Sequence, residues 1–394
     1  MPKSRPRFLE FFAGAGLVRQ ALQPDWRCVW ANDLSPKKAR VYQDNFGHAE
    51  LHVGDVADIR PEDLPDADLA WASFPCQDLS LAGWRNGMQA SRSGAFWGFW
   101  SLMQDLKGEG RLPKVLVLEN VTGLLQGEDF NGLCEALAAL DLHFGALTID
   151  AKHFTSQSRP RVFVIAAGAD STTQFAASAP ATAWTSPTLQ RAVERLPAAV
   201  AKQWAWWHLP EPTAQPPAIE SLIETSEGPW FDEQKVEHLL EMMAEPHRRK
   251  MLEASQPGAR KVGFLYCRVR QGCQRAEVRF DGIAGCLRTP AGGSSRQTVV
   301  VVEGDRVRMR LLSPREAARL MGAPDNFQLP ANYNDAYRAM GDGVCVPAVA
   351  WLAEHLLTPL VSNRGASAPT VTADAAALLH RTQQRAGRWF RDRP

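Results

Sequence analysis

Across its first 165 residues the chain alternates short apolar runs with segments of helical spacing. Phe8–Phe12 runs into the turn Ala13-Gly14-Ala15-Gly16, and Leu17–Leu22 continues at helical spacing. Cys28–Ala31 is a second run, followed by a predicted helix over Ser35–Phe46. Leu51–Val53, Leu69–Ser73, Val115–Glu119 and Arg161–Ala167 are further predicted strands, with Leu133–Leu140 helical between the last two. Strands interleaved with helices bury both faces in a mostly parallel sheet covered on each side. The predicted fold class is therefore α/β, with a doubly wound, mostly parallel sheet. Chemistry in such a sheet belongs at the carboxyl ends of the strands.

Residues 171–260 change character, being small, polar and Pro-containing, with Trp204, Trp206, Trp207 and Trp230 among prolines. From Lys261 to Arg310, β-like runs alternate with Gly-rich turns, which predicts a second, smaller domain of mixed structure. The expected division is a first domain over residues 1–167 and a second over 168–334. A helical segment over 335–361 returns to the first, and 362–394 is a linker and basic tail. A length of 394 residues suits this arrangement.

The net charge of +1 hides an uneven distribution. Glu245 to Arg315 holds 15 Lys/Arg and 6 Asp/Glu, a local +9, which leaves 29 minus 37, or −8, for the remainder. An acidic body with one basic region fits a face that meets a polyanion, although a solvated basic face would carry the same charges. No continuous apolar run approaches the roughly 20 residues of a membrane span, so no membrane association is expected. The basic N-terminus lacks the apolar core of a signal peptide. Seven scattered cysteines point to reduced thiols and a cytoplasmic protein. Cys267, Cys273 and Cys286 include no close CxxC pair, so no metal site is expected.

Several constellations sit at predicted strand ends. The Gly14-Ala15-Gly16 turn lets backbone approach a ligand, and Glu10, Asp33 and Asp55 follow three successive strands. Acids so placed suit ribose hydroxyls or adenine, and no phosphate-binding GxxxxGK[ST] loop is present; a plain tight turn would look alike. Pro75-Cys76-Gln77 puts a thiol at the end of the fourth strand, where it is a nucleophile candidate or an inert buried cysteine. Glu119-Asn120-Val121 puts a carboxylate at the end of the fifth, as a proton donor or a helix cap. Gln157-Ser158-Arg159-Pro160-Arg161 puts two arginines before the next strand, to grip a base or phosphate or to form a basic turn.

In this order the motifs resemble those of the DNA (cytosine-5) methyltransferase family, over about the first 165 residues and Arg310–Leu357. The family's glycine motif resembles Phe11-Phe12-Ala13-Gly14-Ala15-Gly16, its ribose acid Asp33 and its adenine contact Asp55. Its Pro-Cys, Glu-Asn-Val and Gln-x-Arg-x-Arg motifs resemble Pro75-Cys76, Glu119-Asn120-Val121 and Gln157/Arg159/Arg161, and RLLSPREAARLMGAPDNFQLP resembles the signature that braces its target domain. There are departures. Gly341-Asp342-Gly343-Val344 has Asp where the family has Asn, Ala323-Pro324 stands for Phe-Pro, and the SRSGAFW loop carries an extra residue.

The resemblance implies a Rossmann-like fold that binds S-adenosylmethionine. Phe12, Ala13, Gly14, Gly16, Leu17, Asp33, Leu34, Asp55, Val56, Pro75, Asp342, Gly343 and Val344 would form the cofactor site. It implies Cys76 as nucleophile toward C6 of a flipped cytosine, Glu119 at N3, Arg161 at O2 and Arg159 as a brace. The segment 77–96 would be a lid, with Gln77, Trp84, Arg85 and Arg92 on DNA. The implied target-recognition domain would read double-stranded DNA through Gln157, Arg288, Gly292, Gly293, Ser294 and Arg296, on glycines that permit close approach and arginines suited to base edges. A monomer is expected, with a cognate restriction endonuclease as a conceivable companion. Two alternatives stay open: a tRNA cytosine-C5 methyltransferase, and a catalytically idle DNA-binding regulator.

Overall fold

In a computed structural model the chain is described over residues 4–23, 25–75, 94–180, 183–225, 228–256, 258, 260–288 and 296–362. Seven strands form one sheet: β1 (Arg7–Phe11), β2 (Arg27–Asp33), β3 (Leu51–Val53), β4 (Leu69–Ala72), β5 (Val115–Val121), β6 (His143–Asp150) and β7 (Pro160–Ala167). Their order is β3-β2-β1-β4-β5-β7-β6, parallel except for β7, which runs against both neighbours. The strand reading is right in kind and incomplete, because β6 is absent from it. The helices are α1 (Leu17–Leu22), α2 (Pro36–Phe46), α3 (Ala95–Gly108) and α4 (Asp129–Ala139). Ser35 caps α2 as its short hydroxyl suggests, and Pro36 opens the helix, where no N–H is needed. β4 is fully buried, as a central parallel strand must be.

Two apolar layers sandwich the sheet. One contains α1, α2 and the returning helix Val346–Leu352, and the other contains α3 and α4. Together with a π-helical turn at Ala353–Leu357, the stretch Tyr333–Ser362 is long and apolar enough to cross a membrane. Its apolar side is spent instead on this core: Val349, Leu352, Leu356 and Leu357 are all fully buried.

A second sheet consists of β10 (Arg260–Arg270), β11 (Cys273–Arg279), β12 (Thr298–Glu303) and β13 (Arg306–Leu311), in antiparallel order β11-β10-β12-β13. One face packs on helices Glu233–Glu241 and Glu245–Ala254. The other, through Val262, Phe264, Val299 and Val301, joins the core of the large sheet. Between the sheets, β8 (Ala176–Ala177) pairs with β9 (Trp206–Trp207).

Past the expected boundary at 168 the chain stays on the large sheet. The Trp-rich stretch packs on the outer strand β6: the Ala205 N–H donates to Phe144 O at 2.7 Å and the Thr148 N–H to Trp184 O at 2.8 Å. Trp184 and Trp207 are buried in the large core. Large aromatic side chains follow apolar area, and here that area lies on β6.

Candidate functional site

The turn after β1 is built around one carboxylate. Asp33, at the end of β2, accepts the Gly14 N–H and the Ser35 N–H, both at 2.8 Å. It thereby ties the glycine turn to the start of α2. Gly16 has φ 78°, and a Cβ there would press into Tyr42 and Phe46 at under 3 Å, so only glycine fits. A Cβ on Gly14 would meet nothing within 4 Å: the turn faces open space. Phe12 is the non-glycine residue held at positive φ (58°) where the chain leaves β1. Ala13 and Leu17 are buried beneath.

Around that space the next strands end in exposed groups. Leu34 is 65% exposed, unusual for a leucine, and Val53 is 41% exposed. Asp55 caps the turn after β3 through the Ala57 N–H at 2.9 Å and is otherwise exposed, while Val56 is buried against Gly98 of α3. Apolar side chains beside a carboxylate suit a flat ring joined to a sugar.

Glu10, on β1 beneath this turn, is fully buried, and neither carboxylate oxygen completes a hydrogen bond. Burial pushes its pKa up to about 8; the nearby Arg19 charge and backbone N–H oppose this, and Asp33 adds to it. At neutral pH Glu10 is mostly the uncharged acid.

At the ends of β4 and β5 the structure brings Glu119 and Arg161 together. β5 and β7 run antiparallel with Val121 opposite Arg161. This sets the Arg161 Nε 3.3 Å from Glu119 Oε1, both largely buried. Next to them Asn120 donates its amide to Phe74 O at 3.0 Å and accepts the Val121 N–H at 2.8 Å. Asn120 therefore holds the exit of β4 against β5, just before Pro75, which is exposed. Cys76, Gln77, Trp84, Arg85 and Arg92 lie outside the described residues, as does the expected lid up to residue 93. From Ala95 the chain is helix α3, and Phe96 is buried.

Arg159 is buried; its backbone N–H donates to Asp150 Oδ1 at 2.6 Å, but its guanidinium touches no carboxylate. Its guanidinium donates to Leu287 O (3.0 Å), Gly341 O (2.8 Å) and Gly343 O (2.6 Å) and approaches Cys286 Sγ at 3.6 Å. Its Nε has no partner. Burial and the adjacent Arg161 charge pull its pKa down to about 10, so it stays a cation at neutral pH. It joins three segments: the start of β7, the loop between β11 and β12, and the Gly341–Val344 turn. In that turn Asp342 pairs with Lys38 of α2 at 2.8 Å, and Val344 is buried. A lysine partner on α2 thus accompanies the carboxylate that stands for the family's amide.

Gln157 is corrected by its surroundings. It is fully buried, donating to Leu320 O (2.9 Å) and Met321 Sδ (3.3 Å) and accepting the Leu287 N–H (3.2 Å). An amide so enclosed cannot touch DNA; it pins the loop that carries Arg288. Arg288 is exposed. Arg296 lies over Tyr333 and donates to Asn334 at 2.5 Å, so the loop's far end is anchored on the body. Gly292, Gly293 and Ser294 lie outside the described residues.

The motif reading did not single out Asn120, Lys38 or Glu316. Glu316 is fully buried and paired bidentately with Arg310 of β13 at 2.5 and 2.8 Å, and it also accepts the Ser313 and Glu224 N–H groups at 2.8 Å. Burial raises its pKa, but the Arg310 and backbone bonds outweigh this and hold it below the usual carboxylate range. The Arg-Glu-x-x-Arg-Leu pattern was its visible signal; the partner six residues upstream on another element was not.

A family model described as C-5 cytosine-specific DNA methylase matches residues 6–358. The Type II methyltransferase M.HhaI of Haemophilus parahaemolyticus is 26% identical over 358 residues, covering 89% of this chain and 94% of that protein. M.NlaX of Neisseria lactamica is 26% identical over 368 residues, covering 91% and 99%. Among solved structures, the methyltransferase EhMeth of Entamoeba histolytica aligns with a TM-score of 0.58 at 14% identity over 91% of this chain and 99% of that one. The Dnmt2 methyltransferase of S. pombe aligns at 0.54 with 18% identity over 90% and 99%. At such identities the structural likeness shows a shared fold.

Proposed function

Because the chain belongs to the C-5 cytosine-specific DNA methylase family, and so is a DNA cytosine-5 methyltransferase, we propose that its own residues methylate a flipped cytosine of duplex DNA through a covalent adduct. The observation that carries this reading is the Glu119–Arg161 pair, set beside the Asn120 clamp on the strand exit that leads into Cys76. Members of the family use S-adenosylmethionine, which when bound supplies an electrophilic methyl group. The residues present fit it: Gly14 opens onto free space, Asp33 and Asp55 offer acceptors for hydroxyl or amine groups, and Leu34 offers an exposed apolar face. We assign Asp33, Leu34, Asp55 and the Gly14–Gly16 turn to that site, with Asp342–Val344 closing it from the far side.

Cytosine C5 is a weak nucleophile. In the proposed sequence the Cys76 thiolate forms a bond to C6 while Glu119, as the acid, gives a proton to N3; the electron pair released makes C5 enamine-like. Arg161 donates to O2 and keeps Glu119 oriented. After C5 has gained its methyl group, a water removes the C5 proton. The C6–S bond then breaks and N3 returns its proton to Glu119, which restores the thiolate, the acid and the aromatic ring. A thiol cannot reach C6 in a stacked duplex, so the base leaves the helix at a cost of a few kcal/mol.

The test uses a duplex carrying 5-fluorocytosine, in which fluorine replaces the proton that must leave. A stable protein–DNA adduct is expected on a denaturing gel with the wild type and none with Cys76→Ala. An adduct that survives the substitution overturns the assignment of Cys76. Adduct formation with transfer RNA and not with duplex DNA would replace the substrate.

A further inference from the structure

The β10–β11 hairpin outruns the sheet it belongs to. β12 reaches only Leu265 of β10, where Thr298 is the partner, whereas β10 continues to Arg270 paired with β11. The five extra residues extend it by about 16 Å. Gln271 (φ 50°) and Gly272 (φ 77°) close the tip with two left-handed residues, the geometry of a tight two-residue turn. The overhang lies at the end of the sheet where β12 is entered from the Arg288–Gln297 loop and where β13 leaves toward Ser313. That end is attached to the body by the Gln297 N–H on Tyr337 Oη.

The two faces of the overhang differ. Leu265, Cys267, Ala276 and Val278 lie on the apolar face that packs toward the helices. Val269 on the same face, past their cover, is 71% exposed. The opposite face continues the alternation of Val262 and Phe264, which pack into the core of the large sheet. The next residues on it are Tyr266, Arg268 and Arg270, with Arg275 and Glu277 across from them. This face therefore looks toward the catalytic body from a projecting arm.

Its charge is poorly balanced. Arg268 stands directly opposite Arg275, a like-charge cross-strand pair that costs stability in isolation. Glu277 is the one acid of the overhang, 2.8 Å from Arg270 and 3.9 Å from Arg268. The Arg268 guanidinium also lies over the Tyr266 ring at 4.4 Å, which orders it. Three arginines against one glutamate leave a net +2 on an ordered, solvent-facing strip.

We propose that this arm grips the phosphate backbone of the DNA substrate through Arg268, Arg270 and Arg275, holding the duplex against the catalytic body without reading its sequence. The proposal rests on the reading of the chain as a DNA methyltransferase. It separates two jobs within the basic region: register and affinity on the hairpin, base reading on the Arg288–Arg296 loop. A polyanion between Arg268 and Arg275 removes the repulsion that the bare hairpin carries.

The experiment measures binding of the full chain to a labelled mixed-sequence duplex by fluorescence anisotropy over a range of salt. In parallel, methylated sites in a randomised library are read by bisulfite sequencing. With Arg268, Arg270 and Arg275 all changed to Gln, the slope of log affinity against log salt should fall by about two to three units, near 0.9 per lost contact. The preferred methylation site should stay that of the wild type. Glu277→Gln, which removes the opposing acid, should tighten binding severalfold and keeps the test decisive if the triple variant folds poorly. A wild-type salt slope in the triple variant, weaker binding by Glu277→Gln, or an altered site preference each overturns the proposal. Binding without methylation by the wild type would instead count against the enzymatic reading and leave the arm judged by its salt slope.

Discussion

Two buried arginines fasten the small sheet to the large one, and their surroundings satisfy them in opposite ways. Arg310 meets the two oxygens of Glu316, and the charges cancel inside the core. The Arg159 guanidinium meets three backbone carbonyls and no carboxylate, so its charge remains, beside Arg161 and Glu119. The difference teaches what each joint is for. A neutralised pair is a fastening and can be replaced as a unit. An uncancelled cation also biases its neighbourhood toward negative charge, and here that neighbourhood is the strand edge where a thiolate and a cytosine carbonyl are proposed to meet. Glu10 is a third case, a buried acid with no partner, and it escapes the cost by staying protonated.

The fastening should break hardest. Glu316→Ala leaves Arg310 buried and unpaired and is expected to lower unfolding stability by about 3–5 kcal/mol at pH 7, read from urea titration. Replacing both residues by apolar ones of similar size should cost much less. Because folding lowers the Glu316 pKa, its contribution is present above the unfolded value near 4.5 and is lost as pH falls through the folded one. The deficit of Glu316→Ala should therefore shrink in acid. A deficit that stays constant down to pH 3 would show that the pair is not the fastening.

Arg159→Met should separate the two joints. Its loss leaves three carbonyls without a donor but also removes a buried charge, so a stability loss of about 1–3 kcal/mol is expected. Methyl transfer should fall further than that loss explains, by about a hundredfold, if the uncancelled charge serves the chemistry. Equal behaviour of Arg159→Met and the double apolar replacement at Arg310 and Glu316 in both assays would erase the distinction.

Glu10→Gln gives the smallest effect and the opposite pH dependence. Folding raises the Glu10 pKa from 4.5 to about 8. The native state therefore holds the extra proton between those values, and stability falls as pH rises through that window. The glutamine variant should match the wild type near pH 4 and exceed it by roughly 1–3 kcal/mol at pH 9 in thermal unfolding. Parallel stability curves would mean that Glu10 finds a partner.

What could be read from the sequence is what is local. The glycine turn, the acids at strand ends and the Ser35-Pro36 helix start depend on neighbours a few residues away. β6 escaped because Gly145 interrupts its apolar pattern; a Cβ there would collide with Ala205 O, so the glycine serves the Trp-rich strap and not the strand. Gln157 reads as a DNA contact and Arg159 as a brace without a visible partner, because the groups they bind stand 128 to 184 residues away and leave no trace in the motif. Asp342 reads only as a departure from the family's amide for the same reason, since Lys38 is visible as its partner only once the chain has folded.

The last helix has a consequence for how the chain is made. Val346–Leu352 packs on α1, and the Trp26 indole donates to Thr358 Oγ1 at 3.0 Å across 332 positions of sequence. During translation at about 5–20 residues per second, the apolar side of α1 thus waits on the order of 15–60 s for its cover to leave the ribosome. Until residue 358 has emerged, Leu17, Val18, Leu22 and Trp26 lack the cover that this segment gives them, so the packing of α1 is completed by chain made long after it.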